Sequence, residues 1–279
     1  MVDPVIKGKR VCVFPLIPCN ECDQCKRKKY ELCRRYGYLG SRQDGGFAEY
    51  VAVPAWNLME IPESVSFEAG ALIEPMCVAV HAIRQVQIAR GDNIVVFGAG
   101  TIGLFVVMFL IEAGYKNVFL IGKKDIQKQK ALEFGLKEEN FHNINEQDID
   151  EWIKSQTDDM GADVLFECVG KNETVEQCFR NSAYNARIVL VGNPASDMFF
   201  DEKVFSDALR RELTIVGTWN SSFTHEETDD WHYVLERLVD KRINPELIIS
   251  HKLPFSELSK GFEMIKNKSE EYIKVLGIL

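Results

Sequence analysis

The chain has no excess of positive charge: 33 Lys and Arg stand against 42 Asp and Glu in 279 residues, a formal net charge of -9. Nucleic acid and anionic membrane surfaces repel such a protein at long range, so both are disfavoured as partners. No secretory signal is visible either. Met1-Val2-Asp3-Pro4 offers neither a basic start before an apolar stretch nor a small-residue cleavage site, which points to the cytoplasm. Nor is there an unbroken apolar run fit to span a membrane, because the stretch from Ile94 to Ile111 is cut by Gly98, Gly100 and Gly103. Internal repeats and low-complexity linkers are absent, which argues against a solenoid or a tethered array. What is present is 46% hydrophobic and 27% charged residues, enough to bury a core as one large or two medium domains and to exclude wholesale disorder. Small-molecule chemistry is the better expectation.

Of the eight cysteines, Cys12, Cys77, Cys168 and Cys178 are scattered, while Cys19, Cys22, Cys25 and Cys33 fall within one loop. In a reducing compartment such clustering favours a metal over disulfides. Four thiolates wrapped around one ion leave no open coordination position, so the site reads as structural and suits zinc. Disulfides and a rubredoxin-like iron centre are the competing readings.

A second motif is Gly98-Ala99-Gly100-Thr101-Ile102-Gly103, preceded by Ile94-Val95-Val96-Phe97 and followed by an apolar helix from Leu104. Two glycines permit the turn and a close approach to a pyrophosphate, the third lets helix pack on strand, and the helix amino end meets the phosphates. The expected cofactor is NAD or NADP. Where an acid is expected about 20 residues on, to hold the adenosine ribose, the chain has Gly122-Lys123-Lys124. Room and positive charge there lean the reading to NADP, although Asp125 keeps NAD open. Later strands end in Val169-Gly170, Gly192 and Gly217, where backbone can approach a ligand or simply turn.

The texture of the chain changes along its length. Residues 8–62 alternate short β-like runs (10–14, 48–53, 56–61) with turns, and 67–87 reads as helix with Pro75 as a break or restart. From Asn93, strands 94–98, 117–121, 163–168, 187–191 and 213–217 alternate with helices 101–113, 125–134, 146–156 and 172–182, the rhythm of an α/β doubly wound parallel sheet. A helix (227–239), a strand (247–250), a helix (256–266) and a closing strand (273–278) then return to the first, β-rich part. The expected division is 1–75, 76–217 and 218–279. Glu74 and His81 lie two helical turns apart and can share a face, but spacing alone promotes neither above an ordinary helix residue.

Together the four-cysteine loop, the segment Gly40-Ser41-Arg42-Gln43-Asp44-Gly45-Gly46-Phe47-Ala48-Glu49-Tyr50, the Glu74-Pro75 pair and the glycine turn resemble the zinc-dependent medium-chain dehydrogenases, and within them the polyol branch. The resemblance runs from about Gly8 to the end. It implies a Rossmann domain beside a GroES-like catalytic domain, truncated at its amino end, in a homodimer or homotetramer. It assigns a structural zinc to Cys19, Cys22, Cys25 and Cys33. It also places Glu74, but not His81, at a catalytic zinc, which polarises a secondary alcohol of a polyol or polyol phosphate while hydride passes to the nicotinamide. Cofactor contacts are expected from Gly98, Gly100, Thr101, Ile102, Gly103, Lys123, Lys124, Val169 and Gly192. Arg42, Arg210 and Arg211 are candidates for a substrate phosphate.

The family's other catalytic-zinc ligands, a cysteine and a histidine–glutamate pair, have no counterpart before Val5, and one carboxylate does not hold zinc alone. The expectation is therefore an inactive chain with apolar surface uncovered in its β-rich part. A zinc-stapled, nicotinamide-binding protein without turnover is the alternative function.

Overall fold

A computed structural model describes residues 6–279. Its first part is built from very short strands: β1 (Val11–Val13), β2 (Leu16–Ile17), the one-turn helix α1 (Asp23–Lys26), β3 (Gly37–Tyr38) and β4 (Leu58–Glu60). β1 pairs antiparallel with β4, and β2 with β3. The buried Asn57 amide ties the two ribbons together by donating to the carbonyls of Phe14 and Leu16, at 2.7 Å each. The strand expected over 48–53 does not form. Tyr50 is 91% exposed, and the alternating pattern finds no neighbouring edge to pair with, without which a lone strand is not stable. Phe47, Tyr50, Phe67 and Phe262 leave apolar surface exposed in this region, with Phe47 and Phe262 packed edge to face.

Helix α2 (Phe67–Ala71) starts where the Ser66 hydroxyl accepts from the Ala69 N–H, and α3 (Ile73–Ile83) follows at once. The break falls at Leu72 rather than at Pro75. Proline sits in the first turn of α3, where an N–H has no intrahelical partner to lose.

The central unit runs β5 (Ile94–Phe97), α4 (Thr101–Glu112), β6 (Val118–Gly122), α5 (Asp125–Glu133), β7 (Phe141–Asn143), α6 (Ile149–Gln156), β8 (Ala162–Glu167), α7 (Asn172–Arg180), β9 (Ser182–Leu190), α8 (Glu202–Arg210) and β10 (Thr214–Gly217). All six strands are parallel, in the order β10-β9-β8-β5-β6-β7. Chain direction across the sheet therefore reverses between β5 and β8, the crevice where doubly wound sheets bind ligands. Side-chain alternation sorts the strands between two helical layers. Ile94, Val96, Val118, Leu120, Val164 and Phe166 join the core that holds α3 and α4, while Val95, Phe97, Phe119, Ile121 and Leu165 join the core beneath α6 and α7.

Two central elements go beyond the sequence expectation. β7 has only three residues, and α8 interrupts what reads as loop between 191 and 213. α6 begins at Ile149 because the Asp148 carboxylate caps the Glu151 N–H, and α7 ends at Arg180 because β9 already starts at Ser182.

The final segment comprises α9 (Asp230–Val239), β11 (Ile249–Pro254), α10 (Leu258–Asn267) and β12 (Lys274–Ile278), with β11 and β12 parallel. The strand expected at 247–250 is displaced by a short 3-10 turn at Pro245–Ile248, after which β11 starts. Phe14 packs on Phe223 and Trp231 at centroid distances of 5.0 and 5.4 Å, which seats this segment against the first part of the chain. No helix among the described residues is long and apolar enough to cross a membrane.

Candidate active site

The cysteine loop folds around α1, with Asn20 and Lys28 in left-handed backbone conformations that close its turns. The four Sγ atoms lie within 4.8 Å of one another, at 3.5 Å for Cys22–Cys25, 3.9 Å for Cys19–Cys25 and 4.0 Å for Cys22–Cys33. These separations are far beyond a disulfide bond. A tetrahedral ion with Zn–S bonds of about 2.3 Å would space its sulfurs by about 3.8 Å, so the donor set fits zinc in both chemistry and size. Backbone N–H groups of Cys25 and Arg34 pull the Cys22 thiol down to about 6, whereas burial pushes Cys25 up to about 12, so the metal itself would have to drive off the Cys25 proton. The ion would staple a loop whose own core is small.

The glycine turn sits at the carboxyl end of β5. Gly98 has φ +100, and a Cβ there would lie 2.6 Å from Val169 Cγ2; a Cβ on Gly103 would lie 1.9 Å from the Gly98 carbonyl oxygen. A Cβ on Gly100 would meet nothing within 4 Å, so the backbone there borders open space in front of the α4 amino end. That open ground, free N–H groups and helix dipole suit a pyrophosphate. Thr101 turns its hydroxyl to the Ile273 carbonyl at 3.2 Å, which ties the turn to the final segment.

Opposite the turn, the 1% exposed carboxylate of Glu167 ends β8. It accepts from the Val169 N–H at 2.9 Å, the Gly170 N–H at 3.0 Å and the Thr174 hydroxyl at 2.7 Å. Motif and spacing do not single out Glu167, although a lone acid closing the apolar run Val164-Leu165-Phe166 is the kind of signal that marks such a role. Gly170 and Gly192 are closely apposed: a Cβ on Gly192 would lie 2.1 Å from the Gly170 nitrogen.

Gly122 lies next to the turn, since a Cβ there would come 2.9 Å from Ala99 Cβ. Gln127 Oε1 accepts from the N–H groups of Lys123 and Lys124 at 3.0 and 3.2 Å. Lys124 reaches toward Glu271 and the Tyr272 ring, whereas Lys123 is exposed and enters no ion pair among the described residues.

Beyond these strand ends opens a cleft of about 380 Å³. Val191, Asn193 and Thr218, just past β9 and β10, form one side; Tyr36, Tyr38, Arg42 and Glu74 form another. Glu74 accepts from the Tyr38 hydroxyl at 3.3 Å. Burial raises its carboxyl above the ordinary range, against the opposing pull of Tyr38 and Lys274, and burial with the Glu74 charge raises the Tyr38 phenol.

Several candidates are not brought to this cleft. His81 lies on α3 with Glu74, but its Nδ1 meets the Asp230 carboxylate at 2.8 Å, where Arg84 and the Ser222 N–H also bind. It fastens α3 to α9. Arg211 donates to the carbonyls of Phe179, Arg180 and Ser182, and Arg210 bonds Ser206 along α8, so both expected phosphate ligands are turned away and only Arg42 remains. Among the described residues, the four cysteines form the only group of three or more metal-capable side chains. Glu74 by itself does not make a zinc site, because a catalytic zinc takes three protein ligands.

Residues 101–240 match the zinc-binding dehydrogenase family, and residues 2–63 the alcohol dehydrogenase GroES-like domain. Galactitol 1-phosphate 5-dehydrogenase of Escherichia coli is 30% identical over 263 residues, 93% of this chain and 75% of the relative. L-idonate 5-dehydrogenase of Vitis vinifera is 31% identical over 94% of this chain and 70% of its own length, and sorbitol dehydrogenase of Halalkalibacterium halodurans 31% over 92% and 72%. Among solved structures, the Escherichia coli galactitol-1-phosphate dehydrogenase superposes with a TM-score of 0.90 at 30% identity, over 100% of this chain and 80% of that one. A Sinorhizobium meliloti zinc-binding dehydrogenase bound to NADP and an Escherichia coli alcohol dehydrogenase complexed with NADH each reach 0.88, at 28% and 26% identity, and each covers 100% of this chain and 79% of its own. The expectation that the chain is inactive draws no support from matches that span so much of it. With a six-stranded parallel sheet, a GroES-like part and a four-cysteine cluster in place, the chain belongs to the zinc-type, NAD(P)-dependent alcohol dehydrogenase family.

Proposed function

We propose that the protein oxidises a secondary alcohol of a polyol or polyol phosphate and passes hydride to NADP or NAD, acting in the cytoplasm on a small-molecule substrate. One observation carries this reading: Val169, which meets Gly98 of the glycine turn, also lies against Gly192, whose neighbour Val191 lines the cleft that holds Glu74, so a dinucleotide at the turn can present its far end to an alcohol in the cleft. The nicotinamide supplies the hydride acceptor. Gly98, Gly100, Thr101, Ile102 and Gly103 receive the pyrophosphate, Lys123 and Lys124 the adenosine end with a lean to NADP, and Val169 and Gly192 the approach toward the nicotinamide. Among the described residues Glu74 is the only acid lining the cleft, and its raised carboxyl is placed to take the hydroxyl proton of the bound alcohol. Cys19, Cys22, Cys25 and Cys33 hold structural zinc. The working division is 1–75, 76–217 and 218–279, and the free sheet edge at β10, with Ile215 exposed, supports a homodimer or homotetramer.

A second reading, dinucleotide binding without turnover, is favoured by the same cleft, because among the described residues no histidine or cysteine joins Glu74 there. Calorimetric titration with NADPH and NADH tests the shared premise. Saturable binding, tighter for NADPH, is expected; a folded protein that binds neither removes both readings.

A further inference from the structure

The cleft carries one cationic side chain, and among the described residues it has no carboxylate partner. Arg42 lies over the Tyr36 ring with its guanidinium carbon 3.9 Å from the centroid. Nη1 donates to the Tyr36 carbonyl at 3.1 Å and Nη2 to the Tyr36 hydroxyl at 3.0 Å. Its neighbours Arg34 and Arg35 instead pair with Asp23 at 3.1 Å and Glu21 at 2.9 Å. Arg42 is thus held in place by an aromatic ring and two neutral acceptors, which leaves its charge uncompensated and three of its five N–H groups unused.

Its position relative to Glu74 gives that charge a meaning. The Tyr36 ring stands edge-on to Tyr38 at 6.3 Å, and the Tyr38 hydroxyl meets Glu74 at 3.3 Å. Arg42 and Glu74 therefore mark two ends of one tyrosine-lined wall. Ser41, Asn193, Thr218 and Asn220 add neutral polar groups suited to hydroxyls. We infer that Arg42 anchors a terminal anion, phosphate or carboxylate, on a polyhydroxylated substrate whose oxidised carbon lies toward Glu74. The chain therefore selects anionic over neutral polyols. This rests on the proposed reading of the cleft as the alcohol site. A restrained guanidinium suits the role because it presents a planar fork at little further ordering cost.

The test is binding to the whole chain saturated with NADPH, with three probes of one configuration that differ at one end: galactitol, galactitol 1-phosphate and L-galactonate. Wild type is expected to bind the phosphate or the carboxylate about ten- to a hundredfold more tightly than galactitol, the span of a charge-assisted hydrogen bond. Whichever anion is preferred identifies the source of the charge. Arg42→Gln should bring the preferred anion down to the affinity of galactitol, and Arg42→Lys, which keeps charge without the fork, should fall between. Equal wild-type affinity for charged and neutral polyols overturns the inference, as does an Arg42→Gln protein that keeps its preference or loses NADPH affinity instead. Dinucleotide binding with none of the three polyols bound overturns the alcohol reading itself and this assignment with it.

Discussion

The Glu167 carboxylate holds the Val169 N–H at 2.9 Å, and the Val169 side chain in turn lies where a Cβ on Gly98 would be, 2.6 Å away. A fully buried acid at the end of one strand thereby sets the wall that faces the glycine turn of the next. Its oxygens are met by two N–H groups and one O–H group, and no cation pairs with it among the described residues.

Glu167→Ala should therefore leave the Val169 and Gly170 N–H groups unpaired, while the Thr174 hydroxyl keeps the Lys171 carbonyl at 2.9 Å, at a cost of about 1–3 kcal/mol for each group left buried and unsatisfied. Chemical denaturation should show the loss. Glu167→Gln keeps the shape and one acceptor oxygen; it is expected to fold with a smaller loss and to bind NADPH at least tenfold more weakly. Unchanged NADPH affinity in the Gln variant would reduce Glu167 to a purely structural part.

At Gly103 the space is already taken: an added Cβ would sit 1.9 Å from the Gly98 carbonyl oxygen. Gly103→Ala should push the turn off the α4 amino end and abolish measurable dinucleotide binding. Gly100→Ala, which meets no protein atom, should leave folding intact and still weaken binding, and comparison of their melting curves separates the two effects.

Lys123 is an exposed cation beside Gly122, with no ion-pair partner among the described residues. Lys123→Glu is expected to lower NADPH affinity at least tenfold with little effect on NADH, because only the 2′-phosphate is repelled. Equal losses for both cofactors would count against the lean to NADP.

Removal of the loop metal should unfold the loop and not the sheet. Elemental mass spectrometry is expected to find one zinc per chain in the wild type and none in Cys25→Ser/Cys33→Ser, with the variant's melting point lowered while its far-ultraviolet circular dichroism stays close to native. A second zinc in the wild type would show that Glu74 has metal-binding partners after all.

His142 gives the fold a predictable pH response. It is buried against Trp152, stacked at 4.7 Å with Nε2 unpartnered, and burial holds its pKa below the ordinary 6.5. The folded state thus refuses a proton that the unfolded chain accepts. The resulting stability is present above pH 6.5 and is lost as pH falls from there toward the folded pKa. Urea midpoints measured across that window should fall for wild type and stay flatter for His142→Phe; parallel slopes would assign the effect to another group.

Much of this architecture is legible in the sequence, for local reasons. The β5–turn–α4 unit has its signal in consecutive residues, as does the cysteine loop, and the structure places both as expected. Non-local contacts decided the rest. Residues 48–53 alternate like a strand but find no partner edge, and β7 is too short to register as a pattern. Nothing near His81 in sequence announces Asp230, and nothing near Arg211 announces the three carbonyls it serves. Glu167 is readable in principle, as a lone acid closing the apolar run Val164-Leu165-Phe166.

The most direct test is turnover by the chain as it stands: NADP or NAD reduction followed spectroscopically with galactitol, galactitol 1-phosphate and L-idonate. Steady formation of reduced nicotinamide is expected with at least one of them, lost in Gly103→Ala and sharply reduced in Glu74→Gln. A folded protein that binds the dinucleotide yet reduces none of it with any secondary alcohol would contradict the proposed oxidoreductase and leave the binding protein without turnover.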